Sequence, residues 1–268
     1  MKALFLFLQR IVPQHLLSRL VGLLAHSRVG IIKGPFIRLF IGAYNVDLSE
    51  AEIESPAEFP TFNAFFTRAL KPGVRPVSGA ICSPADGAVS MVGPIEVNHL
   101  LQAKGITYSL DRLLGEDTAA QFENGSFATI YLAPRDYHRV HSPMEGTLRR
   151  ARYIPGKLFS VNQTTAGNIP DLFAINERLV LWFDTVLGPM CVVLVGAMIV
   201  AGIKSTWRER MYEPGKVTEE TGLDIPFRQG EELGQFQLGS TVIVVLPRAE
   251  KFEVAPGDTV RMGQALVK

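Results

Sequence analysis

Two histidines that lie close together are the first residues that could do chemistry. His138 and His141 fall in the segment YLAPRDYHRVHSP, in which charged residues follow an apolar run. Active-site residues concentrate where strands give way to loops, so a catalytic role is one interpretation, and a structural role is the other. An H-x-x-H spacing also occurs in metal sites, but a zinc ion here would need distant carboxylates, because neither cysteine has suitable neighbours. We expect no metal.

An aspartate and a serine elsewhere in the chain could complete a catalytic site. Asp86 in SPADGAV precedes a glycine, a pair that also makes ordinary turns. Ser240 in QLGSTVIVV precedes a β-branched run that predicts a buried strand. An Asp-His-Ser constellation can assemble from any chain order. The G-x-S-x-G elbow is missing around Ser240, which argues against an ordinary serine hydrolase.

The glycine before Ser240 allows a different reaction. A hydroxyl can attack the carbonyl of the preceding residue and convert the amide into an ester, and Gly239 has no side chain to block that attack. A histidine oriented by an aspartate can remove the hydroxyl proton. If the ester then eliminates, the serine becomes dehydroalanine and afterwards a pyruvoyl group. A second pair, Gly125-Ser126, follows Asn124, and we predict only a hairpin turn there.

Length, charge and cysteine content limit the class of protein. The chain has 268 residues, of which 47% are hydrophobic, enough for one large domain or a domain with an appendage. A net charge of +1 gives no basic surface of the kind that binds nucleic acid. The two cysteines, Cys82 and Cys191, are far apart, so we expect a reducing compartment and no disulfide.

The N-terminal region is apolar and basic. No acidic residue precedes Asp47, and no apolar run approaches the ~20 residues of a spanning helix. Short apolar faces with basic residues predict helices that lie on an anionic membrane surface, and a helical hairpin packed on the protein's own core is the alternative. Pro13 and Pro35 should divide the region into short helices. The basic residues before Asp47 are Lys2, Arg10, Arg19, Arg28, Lys33 and Arg38.

The elements that must position these residues form an α+β fold in this interpretation. We predict N-terminal membrane-surface helices over residues 1–48 and a catalytic domain over 49–268, built mostly from antiparallel strands. The stretch from Val46 to Lys71 should be a helical connector anchored by phenylalanines. The apolar run PMCVVLVGAMIVAGI should be a buried strand pair.

Four motifs in order resemble the phosphatidylserine decarboxylases of bacterial type. They are SPADGAV, YLAPRDYHRVHSP, GKLFSVN and LGSTVIV, and the likeness covers most of residues 50 to 268. The resemblance implies a proenzyme that cuts itself between Gly239 and Ser240. The large fragment would end at residue 239, and the small fragment, 240–268, would begin with a pyruvoyl group made from Ser240.

The resemblance also implies roles for the other candidates. Asp86 and His141 would form the relay that activates Ser240 during cleavage, and His138 would lie in the decarboxylation site. Arg135 and Arg139 could hold the phosphate or carboxylate of the substrate, or they could belong to a solvated charged loop. Neither a metal nor pyridoxal phosphate would be needed.

The implied reaction converts phosphatidylserine into phosphatidylethanolamine at a membrane. The enzyme would be a peripheral protein of the cytoplasmic face of the cell membrane and a homodimer of cleaved protomers. Two other functions remain open at this point. One is a membrane-associated serine hydrolase that uses Ser240, and the other is a non-catalytic lipoyl-like module, suggested by the turn-rich end VAPGDTVRMGQALVK.

Overall fold

Helices occupy the N-terminal part of the chain and strands occupy most of the rest, which confirms the α+β class. The structure, a computed structural model, describes residues 6, 7, 9, 11–198, 202–237 and 240–268. Its helices are α1 (Gln14–Ala25), α2 (Gly30–Tyr44), α3 (Phe62–Phe66), α4 (Leu110–Leu114), α5 (Gln163–Ala166) and α6 (Leu172–Ile175), with a 3₁₀ turn at Ala119–Phe122.

The strands are short and follow one another closely along the chain. They are β1 (Ile81–Cys82), β2 (Gly87–Pro94), β3 (His99–Ala103), β4 (Ile106–Ser109), β5 (Ser126–Leu132), β6 (Arg139–His141), β7 (Gly146–Ile154), β8 (Arg178–Thr185), β9 (Gly188–Gly196), β10 (Ile203–Ser205), β11 (Thr218–Phe227), β12 (Glu232–Phe236), β13 (Ser240–Leu246), β14 (Thr259–Val260) and β15 (Ala265–Val267).

One antiparallel sheet of eight strands forms the frame of the protein. Its order is β11-β7-β8-β9-β13-β5-β2-β14, so strands from distant parts of the sequence lie side by side. Three smaller sheets surround it, with the orders β10-β12-β6, β1-β15 and β3-β4. The ladders between named strands are antiparallel, as the sequence predicted.

The middle of this sheet is covered on both faces. In β13, Ile243 and Val245 belong to one hydrophobic cluster, and Val242 and Val244 belong to a second cluster across the sheet. Alternate residues of a strand point to opposite faces, so both sets must be apolar. This double burial explains why the central strands read as continuous apolar runs instead of an alternating pattern.

The N-terminal helices pack on an aromatic cluster and leave apolar side chains exposed. Phe36 of α2 stacks on Phe62 of α3 with 4.1 Å between ring centroids, and Ile37 is fully buried beside them. Ile31 is 86% exposed and Leu39 71% exposed. Within the described residues, no one helix has the length and hydropathy of a membrane span. α1 and α2 together have that length and hydropathy, but the pair is bent by 111°.

Two predictions for the first seventy residues are wrong. Pro35 does not end a helix, because α2 continues from Gly30 to Tyr44 through it. Since proline has no N–H, it removes one backbone hydrogen bond of this helix. The stretch from Val46 to Lys71 is not a helical connector, since only α3 is helical there. Pro56 and Pro60 interrupt the rest. The prediction that Pro13 separates two helical stretches is confirmed, as it caps α1.

Two predictions for strands also need correction. Asn124 and Gly125 do not form a hairpin, because a 3₁₀ turn precedes them and Asn124 adopts a left-handed conformation with φ 62°. The predicted strand pair in PMCVVLVGAMIVAGI is wrong as well. β9 ends at Gly196, residues 199–201 lie outside the described residues, and the next strand, β10, belongs to another sheet.

Two glycines of β2 provide a matched test of how closely this sheet is packed. A Cβ at Gly87 would overlap the carbonyl oxygen of Tyr131 in β5, whereas a Cβ at Gly93 would meet only the ring of Phe127 at 3.9 Å. We expect Gly87→Ala to lower the free energy of unfolding by roughly 3 kcal/mol, and Gly93→Ala to change it by less than about 1 kcal/mol. Thermal unfolding of both variants checks this, and equal effects would contradict the described register.

Candidate active site

The backbone around Ser240 is held on both sides. Phe236 N–H, at the end of β12, donates to His138 O (3.1 Å), and Gln237 N–H donates to Gly202 O (3.0 Å). β13 then begins at Ser240, whose backbone lies between Leu132 and Gly196. The predicted strand after Gly239 is therefore confirmed. Leu238 and Gly239 themselves lie outside the described residues.

His138 is fully buried and presents a free ring nitrogen. Its ring centroid is 4.0 Å from that of Phe66, and its Nδ1 is 2.8 Å from the carbonyl oxygen of Asp136. A carbonyl only accepts, so Nδ1 carries the proton and Nε2 keeps a lone pair. Nε2 has no partner among the described residues. Burial lowers the pKa of His138 to about 3, so the ring is neutral near pH 7.

Both ring nitrogens of His141 have partners. Nδ1 donates to Gly230 O at 2.8 Å, and Tyr137 Oη donates to Nε2 at 3.0 Å. Burial lowers the pKa of His141 and raises the pKa of the Tyr137 hydroxyl, so both groups are neutral. His141 therefore rests in a closed arrangement in which its basic nitrogen accepts from a tyrosine.

Asp86 binds an arginine and the backbone of the C-terminal segment. Its carboxylate accepts from Arg75 Nε at 3.0 Å and Nη2 at 2.6 Å, and from the Met262 backbone N–H at 2.8 Å. Because both ring nitrogens of His141 are already bonded elsewhere, Asp86 acts on His141 only through space in this arrangement. The relay between Asp86 and His141 stays a prediction.

The two arginines proposed for substrate binding differ in their surroundings. Arg139 is engaged, with Nη1 2.8 Å from Glu232 and Nε 3.0 Å from Thr67 O. The side chain of Arg135 is 65% exposed and approaches Asp136 only to 3.9 Å. Its substrate role stays a prediction.

Sequence reasoning missed a third arginine at this site. Arg68 is 5% exposed, and its Nη2 donates to the carbonyl oxygens of Arg135 (2.9 Å) and Asp136 (3.4 Å). Its Nε and Nη1 are buried without a hydrogen-bond partner in the described part of the chain. The sequence gives one signal for Arg68: it follows Phe65 and Phe66 closely, and the burial expected for these phenylalanines would bring the arginine near the core.

A cavity of about 530 Å³ lies beside these residues. Tyr131, Arg135 and Asp136 form one wall, and Asn162 and Gln163 at the start of α5 form another. Asn162 is fixed because its side chain accepts from the first turn of α5 in a capping box. The cavity is large enough for the head group of a lipid.

Other features of the described residues contain none of the predicted site residues. A cavity of about 1390 Å³ opens between Gly146, Asp184 and Gly230, and no predicted site residue lines it. Cys82 and Cys191 are both free and buried. No three His, Cys, Asp or Glu side chains among the described residues are grouped so that they could hold a metal ion.

Comparisons with known proteins show the family of this chain. The sequence matches the family model described as phosphatidylserine decarboxylase over residues 62–268, and one described as PSD over residues 4–45. It is 54% identical to the phosphatidylserine decarboxylase proenzyme of Alcanivorax borkumensis, covering 97% of this chain and 94% of that protein. Identity to the proenzyme of Ectopseudomonas mendocina is 51%, covering 98% and 97%, and to that of Pseudomonas fluorescens 52%, covering 99% and 97%.

These matches define an enzyme of the decarboxylase class. The matches run through the N-terminal helices as well as the β body, so they cover nearly the whole chain. The chain belongs to the phosphatidylserine decarboxylase family.

The burial of His138 predicts how stability depends on pH. The unfolded chain gains a proton at this residue below pH ~6.5, whereas the folded chain stays neutral until about pH 3. Stability is therefore lost as the pH falls through that window, by up to ~1.4 kcal/mol per pH unit for this group. We expect His138→Gln to reduce this slope in urea unfolding measured between pH 6.5 and 4.5.

The exposed histidine His99 provides the control for that measurement. His99→Gln should leave the slope as it is in the unchanged protein, because this side chain remains exposed after folding. An identical slope for His138→Gln would show that His138 takes up its proton as readily in the folded chain as in the unfolded one.

Proposed function

We propose that this chain decarboxylates phosphatidylserine to phosphatidylethanolamine with a pyruvoyl group that it makes by cutting itself between Gly239 and Ser240. The observation that carries the proposal is the place of Ser240. It is the first residue of a central strand and follows β12, where the Phe236 N–H bonds the backbone oxygen of His138. The naming of the relatives as proenzymes supports processing of the chain.

The cleavage follows from the chemistry of the Gly-Ser bond. The Ser240 hydroxyl attacks the Gly239 carbonyl, its proton passes to a base, and the amide nitrogen leaves as the ester forms. Loss of the Ser240 α-proton then expels the Gly239 carboxylate and gives dehydroalanine. Water then adds to this residue, its nitrogen leaves as ammonia, and a ketone remains. No oxidant is consumed.

His141 is the base that we propose for this attack. Its Nε2 lone pair is available only when the Tyr137 hydroxyl turns away, because that hydroxyl donates to it at 3.0 Å. The bond from Nδ1 to Gly230 O fixes the tautomer that leaves Nε2 basic. The nearby negative charge of Asp86 would stabilise the imidazolium that forms.

His138 is suited to the later decarboxylation. The pyruvoyl ketone, when present, supplies the electron sink for loss of the carboxylate from an amine joined to it. The unpartnered lone pair of His138 Nε2 can accept a hydrogen bond from the substrate ammonium and so orient the amine. Since the side chain is buried, water does not compete for that bond.

The N-terminal helices support a peripheral location on the cytoplasmic face of the cell membrane. Exposed apolar side chains of α1 and α2 could enter the acyl boundary, and the basic residues before Asp47 would meet anionic head groups. Two free cysteines suit a reducing compartment. A homodimer of cleaved protomers remains part of the proposal on the resemblance alone.

The cleavage is tested by Ser240→Ala, with Ser126→Ala in the other Gly-Ser pair as the matched control. We expect the Ser240 variant to remain one chain and to lose activity by more than a thousandfold, because it has no hydroxyl to attack. The control should still cut, although its hydroxyl bonds Arg248 O at 2.9 Å and its loss costs about 1 kcal/mol.

Denaturing electrophoresis and intact mass measure the outcome. The small fragment of the unchanged protein should begin with a ketone in place of an amine at position 240. Full decarboxylase activity in uncut Ser240→Ala protein would refute the pyruvoyl proposal.

Membrane binding is tested at the exposed apolar positions of α2. The double variant Ile31→Glu/Leu39→Glu should bind vesicles containing anionic phospholipid at least tenfold more weakly, because two apolar contacts become negative charges. Val186→Glu is the control, since Val186 is 92% exposed but lies in the β8–β9 turn. Vesicle cosedimentation measures both, and equal binding by the double variant and the unchanged chain would contradict the surface assigned to α2.

A further inference from the structure

Arg68 is a buried cation whose neighbouring carboxylates do not bond it. Nε and Nη1 are out of contact with solvent and have no hydrogen-bond partner among the described residues. Asp86, Asp136 and Asp47 act on it only through space, and burial lowers the pKa of the guanidinium. Buried charges in folded proteins are normally paired and fully hydrogen-bonded, so this arrangement calls for an acceptor from elsewhere.

Another buried arginine of the same chain shows what a purely structural role looks like. Arg178 is 4% exposed and uses Nε, Nη1 and Nη2 to donate to the carbonyl oxygens of Leu113, Asn176 and Arg112 at 2.7, 3.0 and 2.7 Å. All three of its nitrogens are satisfied by the fold. Arg68 differs because only Nη2 is used in this way.

Arg68 and His138 meet at one backbone oxygen. Arg68 Nη2 and His138 Nδ1 lie 3.4 and 2.8 Å from the same carbonyl oxygen, that of Asp136. Arg68 has two nitrogens, Nε and Nη1, whose N–H groups need an acceptor, and His138 Nε2 has a lone pair that needs a donor. A ligand that satisfies both is a zwitterion, with an anionic oxygen group a few bonds from an ammonium.

We propose that Arg68 binds the phosphodiester of the lipid head group, with an unpartnered N–H of Nε or Nη1 donating to a non-bridging oxygen, while the head-group ammonium meets His138 Nε2. This assignment depends on the proposed decarboxylase function. A charge-assisted bond from a guanidinium N–H to a phosphate oxygen is short and directional, so it would orient the head group.

The carboxylate of the substrate is the other anion that Arg68 could hold. That group loses its negative charge as carbon dioxide leaves. A cation bonded to it would stabilise the bound substrate more than the transition state and would slow the reaction. The phosphodiester keeps its charge throughout, so binding it orients the substrate without that cost.

The position of Arg68 in the fold suits a lipid ligand. The residue follows α3, whose Phe62, Phe65 and Phe66 pack against Phe40 of α2. The same aromatic cluster thus supports the helix with exposed apolar side chains and the arginine beside His138. A head group at Arg68 would lie next to the aromatic cluster on which α2 packs.

The test uses Arg68→Gln and Arg68→Lys in the full chain, with Lys71→Gln as the matched control. Lys71 is a cation of the same segment, is 41% exposed and pairs with Glu54. Short-chain, water-soluble phosphatidylserine serves as substrate and short-chain phosphatidylethanolamine as competing product, so that membrane binding does not enter. Intact mass first establishes that each variant has been cut and carries the ketone.

We expect Arg68→Gln to be cut normally, to raise the KM for the substrate and the inhibition constant of the product each by at least tenfold, and to change kcat by less than threefold. Arg68→Lys should recover part of both, since it keeps the charge without the directed N–H groups of the guanidinium. Lys71→Gln should match the unchanged protein.

Each other result overturns the assignment. A higher KM with an unchanged product inhibition constant places the carboxylate at Arg68, since the product lacks that group. Unchanged constants, or a fall in kcat alone, remove Arg68 from binding. Uncut Arg68→Gln and Arg68→Lys chains would give it a role in folding or cleavage instead. If the unchanged protein itself carries no ketone, the proposed function fails, independently of Arg68.

Discussion

The insertion of β13 between β5 and β9 is the constraint on which the rest of this structure depends. All three strands after residue 239 pair with strands that precede it: β13 with β5 and β9, β14 with β2, and β15 with β1. A chain cut before Ser240 would stay assembled, because backbone ladders and two hydrophobic clusters hold the small fragment. The strand that carries the reactive residue is thus also the centre of the fold.

Beside this apolar frame, the site contains buried polar groups whose desolvation is unfavourable. His138 and Arg68 both bond one backbone oxygen, that of Asp136, and both keep unpaired nitrogens among the described residues. Folded proteins tolerate such groups where function requires them. The surrounding cluster of phenylalanines supplies the packing that offsets this cost, since Phe66 lies directly on the His138 ring.

Features that depend on a local residue pattern, such as strands and short motifs, could be predicted from the sequence. A β-branched run after Gly239 identified a buried strand, and the four motifs identified the family. Partners that come from distant segments could not be predicted. Nothing near His141 in the sequence indicates that Gly230 fixes its tautomer, and nothing near His138 points to Arg68. Proline signals failed where tertiary packing decided, as in α2.

Asp86 connects the two parts of the chain that the proposed cleavage would separate. Its carboxylate joins Arg75, in the part before residue 239, to the backbone of Met262, in the part after it. Arg75 is also paired with Glu50 at 2.8 Å, and Glu50 with Arg261 at 2.8 Å, so the link closes into a network. Loss of Asp86 would therefore loosen the C-terminal segment and also remove a negative charge near His141. Because both effects could impair cutting, a cutting defect alone does not assign Asp86 to the relay.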